Sequence, residues 1–86
     1  MHILNIFESE RINDEQIFVS LDSDKFNGFI RANPSASFIV NCLTKETTFD
    51  EIVNKLINEF NITEETAQRG VLKTINQLKE LNLIVE

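Results

Sequence analysis

Asn33-Pro34 divides this chain into two stretches of different character. Before it, apolar residues recur at short, strand-like spacing; after it, they recur every three or four residues to the end. Proline fixes its own φ, lacks an N–H and pushes the preceding residue towards extended geometry. It is poor inside a sheet and well suited to a first helical turn. The joint therefore predicts a strand ending at Ala32, Asn33 as cap or turn, and Pro34 opening a helix. A sheet followed by a helical block is an α+β plan.

On the sheet side, Met1 to Ile12 starts apolar and turns charged, and Ile3 to Phe7 reads as a strand or a loosely held arm. Asn13-Asp14 is a turn pair. Gln16 to Leu21 alternates, with Ile17, Val19 and Leu21 on one face and Phe18 and Ser20 on the other, the pattern of a half-buried strand. Asp22-Ser23-Asp24 is the next turn, and Phe26 to Ala32 returns as a third strand. Its Gly28 suggests a bulge or a close backbone approach.

The helical side is more regular. The first helix carries Ala36, Ile39, Val40 and Leu43 on one side. Thr48 caps a second helix, with Glu51 completing a capping box and an apolar stripe of Phe49, Ile52, Val53, Leu56, Ile57 and Phe60. Thr63 caps a third, led by Glu64 and Glu65, with Ala67, Val71, Ile75, Leu78 and Leu81 facing the core. Asn82 suits a left-handed residue after the helix, and Leu83 to Val85 packs back or adds a short strand.

Eighty-six residues make one small domain, 1–86, with a single core. No apolar run approaches the roughly 18–20 residues of a membrane span, and no signal segment opens the chain, so a cytoplasmic protein is expected. One cysteine excludes an internal disulfide and, beside one histidine, leaves no Cys/His zinc site. The net charge is −6. Nucleic-acid binders present a clustered basic face, whereas here Lys25, Arg31, Lys45, Lys55, Arg69, Lys73 and Lys79 are scattered among fourteen acids.

Catalysis has little to draw on. His2 sits near a terminus, and Cys42 has no histidine to activate it and reads as a small buried hydrophobe. Asp22-Ser23-Asp24 lacks the glycine and distal glutamate of a calcium loop. Helix capping accounts for Glu46, Asp50 and Glu51. What remains is surface: Asn27 to Ala32 has no proline and no run of charge, so its backbone edge is open to pairing with an incoming chain.

NPSASFIVNCL followed by TFDEIVNKLINEFNITEETAQRGVLKTINQLKELNLI resembles the PqqD-like family, the RiPP recognition elements. In that pattern a strand ends in Asn before a helix of small and aliphatic residues, here Asn33, Ala36 and Ile39. A T-x-x-E-I helix start follows (Thr48, Glu51, Ile52), and the last helix ends in L-x-x-x-x-L-I (Leu78, Leu83, Ile84). The resemblance covers Ile17 to Val85. It implies a winged helix-turn-helix-like domain, with an N-terminal three-stranded antiparallel sheet followed by three helices. It also implies a non-catalytic role, without cofactor or metal: binding the leader segment of a ribosomally made precursor peptide and presenting it to a maturation enzyme. That enzyme is a radical-SAM enzyme or a leader peptidase/cyclase. The leader is expected to add as a fourth strand on the third strand, beside the third helix. Asn27, Gly28, Phe29, Ile30, Arg31 and Ala32 are the peptide-binding residues expected on the strand, and Gln68, Leu72, Ile75 and Lys79 those on the helix. A winged-helix DNA-binding regulator is the alternative; it calls for a basic recognition helix, where Arg69, Lys73 and Lys79 face Glu64, Glu65 and Glu80 with no net excess.

Overall fold

The computed structural model describes residues 1–86. In chain order the elements are β1 (His2–Ile3), β2 (Phe7–Ile12), β3 (Glu15–Ser20), β4 (Phe29–Ala32), α1 (Pro34–Cys42), α2 (Phe49–Phe60), α3 (Glu64–Glu80) and β5 (Ile84–Val85). β2, β3 and β4 form an antiparallel sheet in that order, and β1 pairs with β5 in a second, two-stranded one. The arrangement is α+β, with three helices behind a three-stranded sheet.

Local chemistry accounts for the joints. Asn13, with φ of 58°, and Asp14 turn the β2–β3 hairpin, whose last pair is Ile12 with Glu15. The Asn33 side chain accepts the Ala36 N–H at 2.9 Å, and Pro34 is the first helical residue. Thr48 and Thr63 cap the other helices, accepting from the amides of Glu51 and Thr66 at 3.2 Å each. Asn61 ends α2 with φ of 51° and Asn82 follows α3 with φ of 60°, left-handed positions that asparagine tolerates. The capping box at Thr48 differs from its sequence reading. Glu51 accepts from the Thr48 hydroxyl at 3.3 Å, not from its backbone amide. Thr48→Ala should therefore cost about 1 kcal/mol and Glu51→Ala less, measured by urea denaturation; a loss near zero for Thr48→Ala would mean that the cap carries no stability.

The core gathers Ile39, Val40 and Leu43 of the α1 region, Ile52, Val53 and Leu56 of α2, and Ala67, Val71, Ile75 and Leu78 of α3, closed by Ile3, Phe18, Ala32 and Leu83. Leu81, expected among them, is 43% exposed: the helix ends at Glu80 and Leu81 is its C-cap.

The sheet departs from expectation in three places. The strand preceding β3 is the charged FESERI stretch rather than Ile3 to Phe7, because an edge strand with both faces largely wet needs no apolar alternation. β4 begins at Phe29, not Phe26: Gly28 has φ of 139°, which breaks the extended run, and Phe26 lies outside the strand against Phe7 with ring centroids 5.9 Å apart. The third is the buried face of β3, which carries Gln16 and Phe18, whereas Val19 and Leu21 are exposed. Burial of Gln16 is possible because its amide is fully engaged. Its Nε2 donates to Ser9 Oγ at 2.9 Å, and its Oε1 accepts from Asn41 Nδ2 at 2.9 Å and from the buried Ser37 hydroxyl. This network ties β3 to α1.

Candidate functional site

Hydrogen-bond parity decides which backbone groups β4 offers. β3 and β4 pair Val19 with Phe29, Phe18 with Ile30, Ile17 with Arg31 and Gln16 with Ala32. The Ser20 amide donates to Gly28 O at 3.1 Å, so the Ser20–Gly28 position is a bonded one. Bonded and non-bonded pairs alternate in an antiparallel ladder. Gly28, Ile30 and Ala32 therefore turn their amides towards β3, and Phe29 and Arg31 turn theirs to the open edge. The same alternation sends the side chains of Ile30 and Ala32 towards the helices and those of Phe29 and Arg31 to the outer face. The opposite edge of the sheet, β2, carries Glu8, Glu10 and Arg11 and is guarded by charge.

Between the β4 edge and α3 runs one groove in two parts. The first, about 390 Å³, is lined by Phe26, Phe29, Ile30 and Ala32 on the sheet side and by Leu78, Leu81 and Gln77 on the helix. The second, about 450 Å³, continues past Asn33 and Ala36 to Thr66, Gly70 and Lys73. Arg31, Ala36, Thr74 and Gln77 line both parts, so the two hollows adjoin. It is apolar at one end and polar at the other. A further hollow beneath β2, about 90 Å³, is too small for a chain segment.

The strand residues named in the sequence, Asn27 to Ala32, thus lie on or beside the groove, with Phe29, Ile30, Arg31 and Ala32 lining it. The helix residues do not join them. At about 100° per residue, Gln68, Leu72 and Lys79 fall on one flank of the buried stripe, and Thr66, Gly70, Lys73, Thr74, Gln77 and Leu81 fall on the other, which faces β4. Gln68 Nε2 donates to Glu64 at 3.3 Å, Lys79 pairs with Glu86 at 3.2 Å, and Leu72 is 52% exposed to solvent away from the groove. Ile75 belongs to the core itself. Periodicity identifies the stripe but not which of its flanks meets the sheet. Gly70 was the readable signal, since a glycine inside a well-patterned helix asks for a packing or functional reason.

The remaining chemistry-bearing residues lie apart from the groove. Burial pushes the Cys42 thiol above its usual pKa, only partly offset by the charge of Lys55, so the nucleophilic thiolate is disfavoured. His2 Nδ1 lies 2.9 Å from Glu46 Oε1. The Glu46 carboxyl is held below the usual range, first by the hydrogen bond from the terminal ammonium and then by that to His2. Asp22 accepts the Asp24 amide at 3.1 Å, which makes that segment a turn. No three His, Cys, Asp or Glu side chains gather where a metal ion could sit. No helix is long and apolar enough to cross a membrane.

Comparison with known proteins adds two findings. The family model described as coenzyme PQQ synthesis protein D (PqqD) matches residues 15–84. The solved structure "TbiB1 in Complex with the TbiA(beta) Leader Peptide" has a similar fold, with a TM-score of 0.76 over 96% of this chain and 93% of that one, at 22% sequence identity. No curated protein matches.

Proposed function

Because the chain belongs to the PqqD family, we propose that it is a non-catalytic adaptor that binds the leader segment of a ribosomally made precursor peptide by strand addition to β4. The observation that carries this reading is the pairing of an open β4 edge with two adjoining hollows along α3, while the other sheet edge is guarded by charge. An added strand bonds to the outward amides of Phe29 and Arg31, and alternate side chains drop towards α3. TbiB1, which is similar in fold, is solved in complex with a leader peptide, and this supports a leader as the kind of partner.

The adaptor presents its leader to a maturation enzyme. Val19 and Phe29, cross-strand partners on the outer face of the sheet, are 46% and 60% exposed, with Leu21 at 68% beside them. Every second residue of an added strand extends this face, so an enzyme that docks there meets domain and leader together.

Titration with the leader segment of the precursor encoded beside the gene tests the proposal. Strand addition orders a flexible peptide, so micromolar or somewhat tighter binding is expected, about −8 kcal/mol. A scrambled leader that binds equally well would overturn it.

A further inference from the structure

Gly70 stands in the middle of α3, where glycine costs about 1 kcal/mol relative to alanine. Nothing in its own fold explains the choice. A Cβ built there meets no atom within 4 Å, and its φ is not in the left-handed region. The missing side chain leaves open space on the groove, and glycine is the residue that lets a ligand come close to a backbone. One helical turn away is Lys73, which lines the same part of the groove and forms no ion pair; Arg31 borders it too, but its side chain lies on the outer face of the sheet, paired with Glu15 at 3.7 Å. In a chain with fourteen acids, this part of the groove is lined by the unpaired Lys73 and by no carboxylate, whereas Glu80 lines the part beside Leu81.

We infer that the Gly70–Lys73 part of the groove takes an acidic side chain of the added strand, about four residues from the apolar side chain that fills the part beside Leu78 and Leu81. The inference rests on the strand-addition reading and specifies what that strand contains. Lys73 of α3 and Leu81, its C-cap, are eight positions apart, a rise of about 12 Å along the helix axis. Four residues of extended chain span about 13 Å, and an even separation keeps both side chains on the helix-facing side. Gly70 provides the room and Lys73 the charge.

A displayed library of random short peptides, selected separately on the wild-type domain and on Lys73→Glu, tests this. Peptides selected on the wild type should carry Asp or Glu about four residues from Leu, Ile, Met or Phe. Selection on Lys73→Glu should move that position to Lys or Arg. A selected acidic peptide should bind Lys73→Glu about fivefold or more weakly at low salt, the difference narrowing as salt rises. Lys79→Glu, on the far flank and tied to Glu86, should leave the selection unchanged. Gly70→Ala should raise the melting temperature yet weaken the same peptide, a combination that a purely structural role for Gly70 does not produce. Selected peptides with no acidic preference, or unchanged binding to both Lys73→Glu and Gly70→Ala, would overturn the inference and leave strand addition standing. If no peptide is enriched, or those enriched bind equally when the outward amides of β4 are removed by proline, strand addition itself falls and the inference falls with it.

Discussion

Arg31→Pro should abolish leader binding while the domain stays folded. The amide of Arg31 points to the open edge of β4, so proline there removes a donor that only an incoming strand uses. Phe29→Pro removes the other outward amide and should act alike. Arg31→Ala and Phe29→Ala keep the amides and lose only side chains, so they separate backbone pairing from side-chain contact and should retain measurable affinity. Ile30→Pro behaves differently: its amide points to β3, and its loss breaks a ladder bond within the sheet, so it should destabilise the fold. The two edge prolines should leave the circular-dichroism spectrum native. Native-like folding together with undiminished leader affinity in both would mean that the peptide does not pair with this strand.

Leu56→Ala should cost about 2–5 kcal/mol, a large share of what holds a small domain together. Leu56 is 1% exposed at the middle of the α2 stripe, in the core where α1, α2 and α3 meet. Truncation both loses the transfer free energy of the side chain and leaves a cavity that three packed helices close poorly. Leu72→Ala is the internal comparison: the same residue type on the next helix, but 52% exposed, for which a cost within about 0.5 kcal/mol is expected. Urea denaturation of the two variants reads the contrast. Equal losses would show that the burial of α2 and α3 is misassigned.

That contrast also marks what the amino-acid order makes legible. Helix stripes are periodic and caps are local, so Leu56, Ile75, Thr48, Thr63 and Pro34 all stand where spacing and chemistry place them. Faces that depend on a partner are not local. The buried side of β3 carries Gln16 because Ser9, Ser37 and Asn41 satisfy its amide from elsewhere in the chain, and alternation favours Ile17, Val19 and Leu21 instead. The same reasoning holds for α3. Its buried stripe was readable, but the groove uses the flank with Gly70, Lys73 and Gln77 rather than the one with Gln68, Leu72 and Lys79, and only the way the sheet packs against the helices distinguishes the two. Charged β2 passes for a loop by composition alone, yet its register with β3 runs unbroken from Phe7 to Ile12.

Residue-resolved amide exchange with and without the leader tests strand addition most directly. The two outward amides, Phe29 and Arg31, should gain protection on binding, while that of Ile30, already bonded to β3, should change far less. This alternation is the signature of a strand pairing with the free edge. If protection instead appears along β2, or on the helices alone while Phe29 and Arg31 exchange as freely as before, the leader does not add to β4.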